Sequence, residues 1–231
     1  MYLPGTTDLT KDAQVVPNPQ SARPKRDEVS LDGRRILDIV LSALALIFLA
    51  PMMLAAAVAI KLQDGGPVLF GQERMGLGGK PFKCWKFRSM VVNAEARLAA
   101  VLASSPEARS EWEADHKLRK DPRITMLGRF LRVSSIDELP QLFNIIAGDM
   151  SLVGPRPIVP AEVPKYGRWF SRYMSVKPGL TGLWQVSGRN DVSYRERVAL
   201  DILFAKRSNF KLYVYIIMMT VPAVLKRSGS Y

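Results

Sequence analysis

RVSSIDELPQLFNIIAGDMSLVGPRP, residues 132–157, carries two adjacent carboxylates at a predicted helix start, and a glycine stop and a proline-rich loop follow. Ser135 is a suitable N-cap, and Glu138 stands three positions later, at the spacing of a capping box. The next apolar residues recur on one helical face: Leu139, Leu142, Phe143 and Ile146. Gly148 is expected to end the helix, and residues 154–157, Gly-Pro-Arg-Pro, form a rigid loop.

The carboxylates of Asp137 and Glu138 allow two interpretations. Acidic residues in the first turn of a helix are ordinary, because they meet the positive end of the helix dipole. Basic residues nevertheless flank this pair in sequence: Arg129, Arg132 and Arg156. A carboxylate among cations is expected to stay ionised at neutral pH, and an ionised Asp137 needs no general base to attack phosphorus. Glu138 could then hold Mg²⁺, a role that excludes closing the capping box.

Length and composition limit the class of protein. The 231 residues favour one domain with a sizeable core, to which a membrane element can be added. The single cysteine, Cys84, indicates a reducing compartment, and one cysteine with one histidine excludes an ordinary zinc site. The net charge of +12 indicates a polyanionic partner, which can be nucleic acid, anionic lipid or a phosphorylated substrate. The excess positive charge lies in three clusters: residues 74–88, 117–132 and 165–177.

A long uncharged segment lies near the N-terminus. No charge occurs from Ile39 to Ile60, and such a helix would reach ~33 Å, enough to cross a bilayer once. Pro51 near its middle favours a second interpretation, because proline removes a backbone hydrogen bond and bends a helix. The legs 39–50 and 52–60 would then measure ~18 and ~13 Å, each near half a bilayer. On the residues alone, the spanning and the re-entrant interpretations both stay open.

Two further segments bear on fold and function. Residues 1–29 show no apolar periodicity and are predicted to be a disordered tail. Residues 65–90 predict a small β-hairpin, whose strands at 68–70 and 82–87 are joined by a glycine-rich turn. Lys86 and Arg88 belong to a basic strand face or to an aromatic-basic strip beside anionic lipid. We take both as candidate substrate-binding residues.

The remaining segments are predicted to be mainly helical. Residues 91–119 form one or two exposed helices, interrupted at residues 104–106. Residues 160–175 combine cations and aromatic residues at helical spacing, which suits either a membrane surface or packing into the core. Residues 212–225 are uncharged but too short to span a membrane, so we expect an interfacial or core helix.

Four runs resemble, in order, the bacterial sugar transferase family, whose members are small monotopic phosphoglycosyl transferases. They are DPRITMLGRFLR at 121–132, SIDELPQLFN at 135–144, GDMSLVGPRP at 148–157 and KPGLTGLWQVSGR at 177–189. The resemblance covers roughly residues 30 to 225 and is closest to the enzymes that start exopolysaccharide assembly. Several long motifs in the same order are far more specific than one short pattern.

The resemblance implies an architecture. We expect an α+β, mostly helical monotopic membrane protein with interfacial amphipathic helices. Residues 30–62 would form a re-entrant helix-break-helix, and residues 63–231 a catalytic domain on the cytoplasmic face of the bacterial inner membrane. The family often has serine before the proline of the break, whereas this chain has Ala50, so the bend would depend on Pro51 and on packing.

The resemblance also implies a reaction in two steps. Asp137 would attack the β-phosphorus of a UDP-sugar and release UMP, and polyprenyl phosphate, such as undecaprenyl phosphate, would then take up the sugar 1-phosphate. Galactose 1-phosphate or glucose 1-phosphate suits the exopolysaccharide-type resemblance. Glu138 would bind Mg²⁺, Arg132 would clamp phosphate, and Arg156 is a second candidate clamp. Candidates for contact with the nucleotide or the sugar follow: Gln185, Arg189 and the run Tyr194-Arg-Glu-Arg.

Two other classes compete with this interpretation. A basic nucleic-acid binder would explain the charge but not the uncharged segment 39–60, and no nucleic-acid-binding motif occurs. A membrane-anchored scaffold would explain that segment but assigns no function to the adjacent carboxylates of Asp137 and Glu138. We therefore expect a sugar-nucleotide donor, a polyprenyl phosphate acceptor and membrane lipids as partners, and no nucleic acid. Amphipathic segments also allow a homodimer.

Overall fold

The structure is a computed structural model that describes residues 33–115, 118–187 and 193–225, so the tail predicted at 1–29 lies outside the described residues. Helices predominate: α1 Gly33–Asp64, α2 Ala94–Ser104, α3 Pro106–Asp115, α4 Met126–Val133, α5 Gln141–Ala147, α6 Val163–Tyr166, α7 Phe170–Tyr173, α8 Leu183–Ser187, α9 Tyr194–Arg207 and α10 Phe210–Leu225. The strands are β1 Leu69–Met75, β2 Pro81–Phe87, β3 Ser151–Val153 and β4 Gly179–Thr181. This secondary-structure content confirms the predicted mostly helical fold with a small β-hairpin.

The apolar helix α1 is continuous, so the break predicted at Pro51 is not an interruption of the helix. A proline removes one hydrogen bond, whereas burial of one face holds the surrounding turns in place. That face packs on the rest of the chain through Met53, Ala56 and Ile60. By length and composition α1 could cross a membrane. Whether it spans or re-enters stays a prediction.

The hairpin predicted near residues 65–90 is confirmed. Strands β1 and β2 pair antiparallel, with Leu69 opposite Phe87 and Met75 opposite Pro81. The side chain of Asn144 joins α5 to this hairpin, because its Oδ1 accepts from the Trp85 amide at 3.0 Å. Its Nδ2 donates to the carbonyl of Lys83 at 2.7 Å. This attachment fixes the position of α5 along β2.

A second sheet was not foreseen from the sequence. Strands β3 and β4 pair in parallel, with Ser151 opposite Gly179 and Val153 opposite Thr181. Strands of three residues are too short to show a readable alternation of apolar and polar residues, so the sequence carried no sign of them. Glycine is required where the two segments meet, since a Cβ on Gly179 would collide with the backbone around Val153.

The other helical predictions are confirmed in outline. Helices α2 and α3 are separated at Ser105 as expected. In the segment 160–175, Tyr166 and Tyr173 are buried beside Val198 of α9, so core packing describes them better than a membrane surface. Trp169 in the same segment remains 39% exposed. Helix α10 occupies the uncharged C-terminal segment, as predicted.

Candidate active site

The acid pair lies on a short 3₁₀ turn, Ile136–Glu138, and not on the α-helix that follows. Ser135 has a left-handed φ of 58° and its side chain makes no capping hydrogen bond, so the predicted capping box is wrong. Pro140 has no backbone N–H with which to continue an α-helix from Ile136, and α5 starts only at Gln141. The α5 helix ends at Gly148 with φ 95°, as predicted.

The apolar face predicted for α5 also differs in part from the observed face. Leu142 is buried, and Leu139 packs against the same cluster. Phe143 and Ile146 are exposed, whereas Ile145 is fully buried beside Cys84. The late start of the helix changes which of its residues face the core. Asp137 and Glu138 consequently precede α5 and lie beside β2.

Asp137 is buried, with 8% of its surface exposed. Burial is the largest influence on its carboxyl and raises its pKa from 3.8 to about 6. The neighbouring charge of Glu138 acts in the same direction, whereas Lys86 and Arg132 lower the pKa. Of the cations that flank Asp137 in sequence, Arg132 acts on its carboxyl, and Lys86 of β2 acts with it, but the two only partly offset desolvation. The carboxyl is about nine-tenths ionised at pH 7.

Glu138 forms an ion pair with Lys86, whose Nζ lies 2.6 Å from Oε1 of Glu138. The structure thus places Lys86, a predicted substrate-binding residue, directly in the site. No group of three His, Cys, Asp or Glu side chains that could hold a metal occurs in the described part of the chain. Mg²⁺ is commonly held by one or two carboxylates together with substrate phosphates and water. The donor set of Asp137 and Glu138 fits that mode.

Arg132 approaches the site from α4. Its Nε donates to Oγ of Ser89 at 2.8 Å, and its charge acts on Asp137 and Asp121. Gly128 on the same helix packs against the backbone of Ser89, where any side chain would collide. This close approach brings the guanidinium of Arg132 within range of the acid pair.

Arg88, the second basic residue predicted on β2, contacts the end of α1 instead of the acid pair. It forms a two-pronged ion pair with Asp64, and its Nε donates to the carbonyl of Pro67 at 2.7 Å. Burial and these partners make Arg88 a structural link between α1 and β2. A contact between Arg88 and substrate stays a prediction.

Arg156 lies in a second group of polar residues. The electrostatic neighbours of Arg156 there include Arg74, Arg197 and Asp201. Gln185 donates from Nε2 to the carbonyl of Leu180 at 3.3 Å. Arg189 lies outside the described residues.

Cys84 of β2 lies near both the acid pair and the second polar group. Its thiol is in the field of Lys86 and Glu138 and also in that of Arg74 and Arg156. The acid pair and the second polar group therefore lie around the same strand. Sequence reasoning did not assign a role to Trp184 or Asp201 of the second group, and no spacing pattern marks them.

Comparison with known proteins identifies the family. The family profile described as bacterial sugar transferase matches residues 30–227. The undecaprenyl-phosphate galactose phosphotransferase of Salmonella typhimurium is 50% identical over 198 residues, which is 86% of this chain but only 41% of that relative. The exopolysaccharide production protein ExoY of Sinorhizobium fredii is 46% identical over 199 residues, 86% of this chain and 88% of the relative. The UDP-glucose:undecaprenyl-phosphate glucose-1-phosphate transferase of Caulobacter vibrioides is 40% identical over 216 residues, 88% of this chain and 74% of the relative. The profile spans most of the sequence, including the acid pair, and the chain therefore belongs to the bacterial sugar transferase family.

Proposed function

We propose that this chain transfers a hexose 1-phosphate from a UDP-sugar to undecaprenyl phosphate, as the first membrane step of exopolysaccharide or other glycoconjugate synthesis. The observation that carries this proposal is the buried carboxylate of Asp137, set between two cations and beside a second carboxylate. The names of the relatives support the same reaction, since they specify undecaprenyl phosphate and galactose or glucose. The chain spans less than half of the Salmonella relative but most of ExoY.

Asp137 is assigned as the nucleophile. Its carboxylate oxygen forms a bond to the β-phosphorus of the UDP-sugar while the bond to UMP breaks, which leaves an aspartyl-phosphosugar. An oxygen of undecaprenyl phosphate then attacks this phosphorus and displaces the carboxylate, giving undecaprenyl diphosphate-sugar. The raised pKa of Asp137 favours the first step, because a more basic carboxylate is a stronger nucleophile and is still ionised at pH 7.

The other residues of the site neutralise and orient the phosphates. Lys86 and Arg132 supply positive charge on two sides of Asp137, which suits a transferring group that carries several negative oxygens. Mg²⁺ bound through Glu138 would supply further charge neutralisation at the diphosphate. The ammonium group of Lys86 forms an ion pair with Glu138, so a phosphate bound beside Glu138 would also lie within reach of Lys86.

The attachment of α1 supports a monotopic arrangement, with the rest of the chain on one side of the membrane. Near its start, Arg35 donates to the carbonyl of Ile145 at 2.6 Å. At its other end, Asp64 forms the ion pair with Arg88. A helix that crossed the bilayer upright would separate these two ends by the ~30 Å hydrocarbon core. Both ends instead contact one catalytic domain, which favours entry and return on the same side.

Turnover by an Asp137→Asn variant tests the proposal. UMP release from a panel of UDP-sugars is measured with undecaprenyl phosphate and Mg²⁺ in the membrane fraction. We expect one donor to support turnover by the wild type and Asp137→Asn to lower the rate at least 10³-fold, on the order seen when a catalytic group is lost. Glu95→Gln on the exposed surface of α2 is the control.

Two outcomes would contradict the proposal. Wild-type rates in Asp137→Asn, with conversion of Asn to Asp excluded by mass spectrometry, would remove Asp137 as the nucleophile. If the folded, membrane-bound wild type released no UMP from any donor of the panel, the membrane-anchored scaffold would be favoured. Glu138→Gln adds a check on the metal: we expect a weaker dependence on Mg²⁺, and an unchanged dependence would remove Glu138 as a ligand.

A further inference from the structure

A groove of about 680 Å³ lies between α9 and the segment that carries α6 and α7. Sites for small ligands commonly have volumes of about 300–1,000 Å³, so the groove is large enough to hold one. Its lining includes Trp169, which is 39% exposed. We call this groove the Trp169 groove.

The lining of the Trp169 groove contains an apolar face of α9. Val198 and Ile202 stand four positions apart on this face and are buried. Leu203 beside them is 39% exposed. The exposed surfaces of Leu203 and Trp169 would leave water on contact with an apolar ligand, which is favourable. The lining therefore suits a ligand that has an apolar part.

Cations lie around this apolar lining. Lys165, Arg195 and Lys206 all line the groove. The ammonium group of Lys165 lies 4.6 Å from the ring centroid of Tyr194, and that of Lys206 lies 4.6 Å from the ring centroid of Trp169. Two of the three positive charges are thus held beside aromatic rings of the groove.

The acids of the neighbouring helices are engaged elsewhere. Glu162 lies 3.8 Å from Arg74, and Glu196 closes a capping box at the start of α9. Asp201 is buried and accepts a hydrogen bond from the hydroxyl of Tyr166. Among the residues that the structure describes, no ion pair joins the three cations of the groove to an acid. A ligand with negative charge would therefore complement the groove.

The Lys206 end of α9 lies close to the start of α1. Ser208 directly follows α9, and its Oγ accepts from Arg34 of α1 at 2.8 Å. Phe210 lies beside Gly33, where an added Cβ would be 3.3 Å from the phenyl ring. Tryptophan and basic side chains next to an apolar helix are typical of the headgroup level of a membrane. This position favours a ligand that comes from the membrane.

We infer that the Trp169 groove binds one anionic phospholipid, with its phosphate at Lys165 and Lys206 and an acyl chain against Leu203 and Trp169. The inference goes beyond the proposed function and does not depend on the transfer reaction. It is also distinct from the contact of α1 with lipid, because it assigns selectivity for a charged headgroup to a defined groove. A free phosphate or a nucleic acid would match the charge but would leave the apolar lining in water.

Quenching of Trp169 fluorescence by brominated lipids tests the inference. The full chain in detergent is titrated with phosphatidylglycerol that carries bromine on its acyl chains, and separately with brominated phosphatidylcholine, which has no net charge. The difference between wild type and Trp169→Phe isolates the signal of Trp169 from that of the other tryptophans. We expect half of this signal to be quenched at an about tenfold lower mole fraction of phosphatidylglycerol than of phosphatidylcholine.

The double variant Lys165→Gln/Lys206→Gln should lose this preference, because it removes both proposed contacts to the phosphate. The matched control is Lys80→Gln/Lys120→Gln, which removes two exposed lysines outside the groove and should keep the preference. Glycerol 3-phosphate, which lacks acyl chains, should not reverse the quenching. Thermal unfolding checks the fold of each variant.

Equal quenching by the two lipids would overturn the inference, because the groove would then contact the membrane without selecting a headgroup. A preference that survives in the folded Lys165→Gln/Lys206→Gln variant would overturn it too. Reversal by glycerol 3-phosphate would reduce the groove to a phosphate site. If neither lipid quenched Trp169, the inference would be wrong and a protein partner would be the better occupant. UMP release remains the separate test of the proposed function.

Discussion

At the scale of the residue, Asp137 shows how burial and charge oppose each other. Arginines flank it in sequence, Arg132 among them, and from these we expected an ionised carboxylate at neutral pH. The ionised form does predominate at pH 7, but desolvation moves the pKa up to about 6 instead of down. Burial depends on how the 3₁₀ turn packs beside β2, and that contact joins residues about 50 positions apart. Local sequence therefore predicts the influence of Arg132 but neither that of Lys86 nor the effect of burial on the pKa of Asp137.

The raised pKa of Asp137 predicts a gain in stability from Asp137→Asn. Because the folded state binds this proton more tightly than the unfolded state, Asp137 is most favourable below pH 3.8 and becomes unfavourable as pH rises through about 6. The shift corresponds to about 3 kcal/mol at pH 7.5, which a neutral asparagine avoids. We expect Asp137→Asn to be more stable than wild type by up to that amount at pH 7.5 and nearly equal at pH 4. The free energy of unfolding of both proteins is measured by urea titration at each pH, in detergent and with a chelator present.

The same pKa predicts the pH dependence of the donor half-reaction. Only ionised Asp137 attacks phosphorus, so the rate of UMP release should rise about tenfold per pH unit below 6 and level off above 7. Lys86→Gln should move the midpoint to higher pH, because it removes a positive charge that lowers the pKa of Asp137. Rapid-quench measurements from pH 5 to 8 check both points. A wild-type rate that is already flat from pH 5 would contradict the assignment.

At the scale of the element, α1 is fixed by a buried carboxylate. Oδ1 of Asp38 accepts from Tyr213 at 2.5 Å, from the amide of Leu152 at 2.6 Å and from Ser151 at 3.1 Å. Asp38 thus joins α1 to β3 and α10. The sequence predicts α1 well, since a long uncharged run leaves few alternatives. It does not predict the role of Asp38, because the partners lie more than 110 positions away.

This contact predicts a loss of stability in Asp38→Asn and Tyr213→Phe. Asparagine keeps an oxygen acceptor but removes the negative charge that strengthens these three bonds, and phenylalanine leaves a buried acceptor with one bond fewer, so we expect losses of about 2 and about 1 kcal/mol. Ser42→Ala on the same helix is the control, because Oγ of Ser42 is buried without a hydrogen-bond partner. Its removal should be neutral or slightly stabilising. Equal losses in all three variants would show that general packing, not this hydrogen-bonded carboxylate, holds α1.

At the scale of the whole molecule, the structure shows how α1 packs on the rest of the chain, which the sequence alone does not reveal. The segment 39–60 is long enough to span a bilayer, and sequence alone does not show where its two ends lie. In the structure one face of α1 packs on the rest of the chain, while the other remains apolar and exposed. The most exposed side chains on it are Ile47 74%, Phe48 83%, Leu54 66% and Leu62 81%. An apolar face of this length on a folded chain needs a partner, and lipid suits it.

The monotopic proposal predicts that both flanks of α1 face the cytoplasm. The chain has a single cysteine, which is buried, so Cys84→Ala gives a background in which one new thiol can be placed. Ser30→Cys precedes α1 in sequence, Gln63→Cys lies exposed in its last turn, and Val92→Cys, exposed outside the helix, marks the side proposed to be cytoplasmic. In intact spheroplasts an impermeant maleimide should label none of the three, and after lysis it should label all of them. Labelling of Ser30→Cys alone before lysis would mean that α1 crosses the membrane. In that case the contacts of Arg35 and Asp38 with the catalytic domain could not exist in the membrane, since their partners would lie on the opposite side.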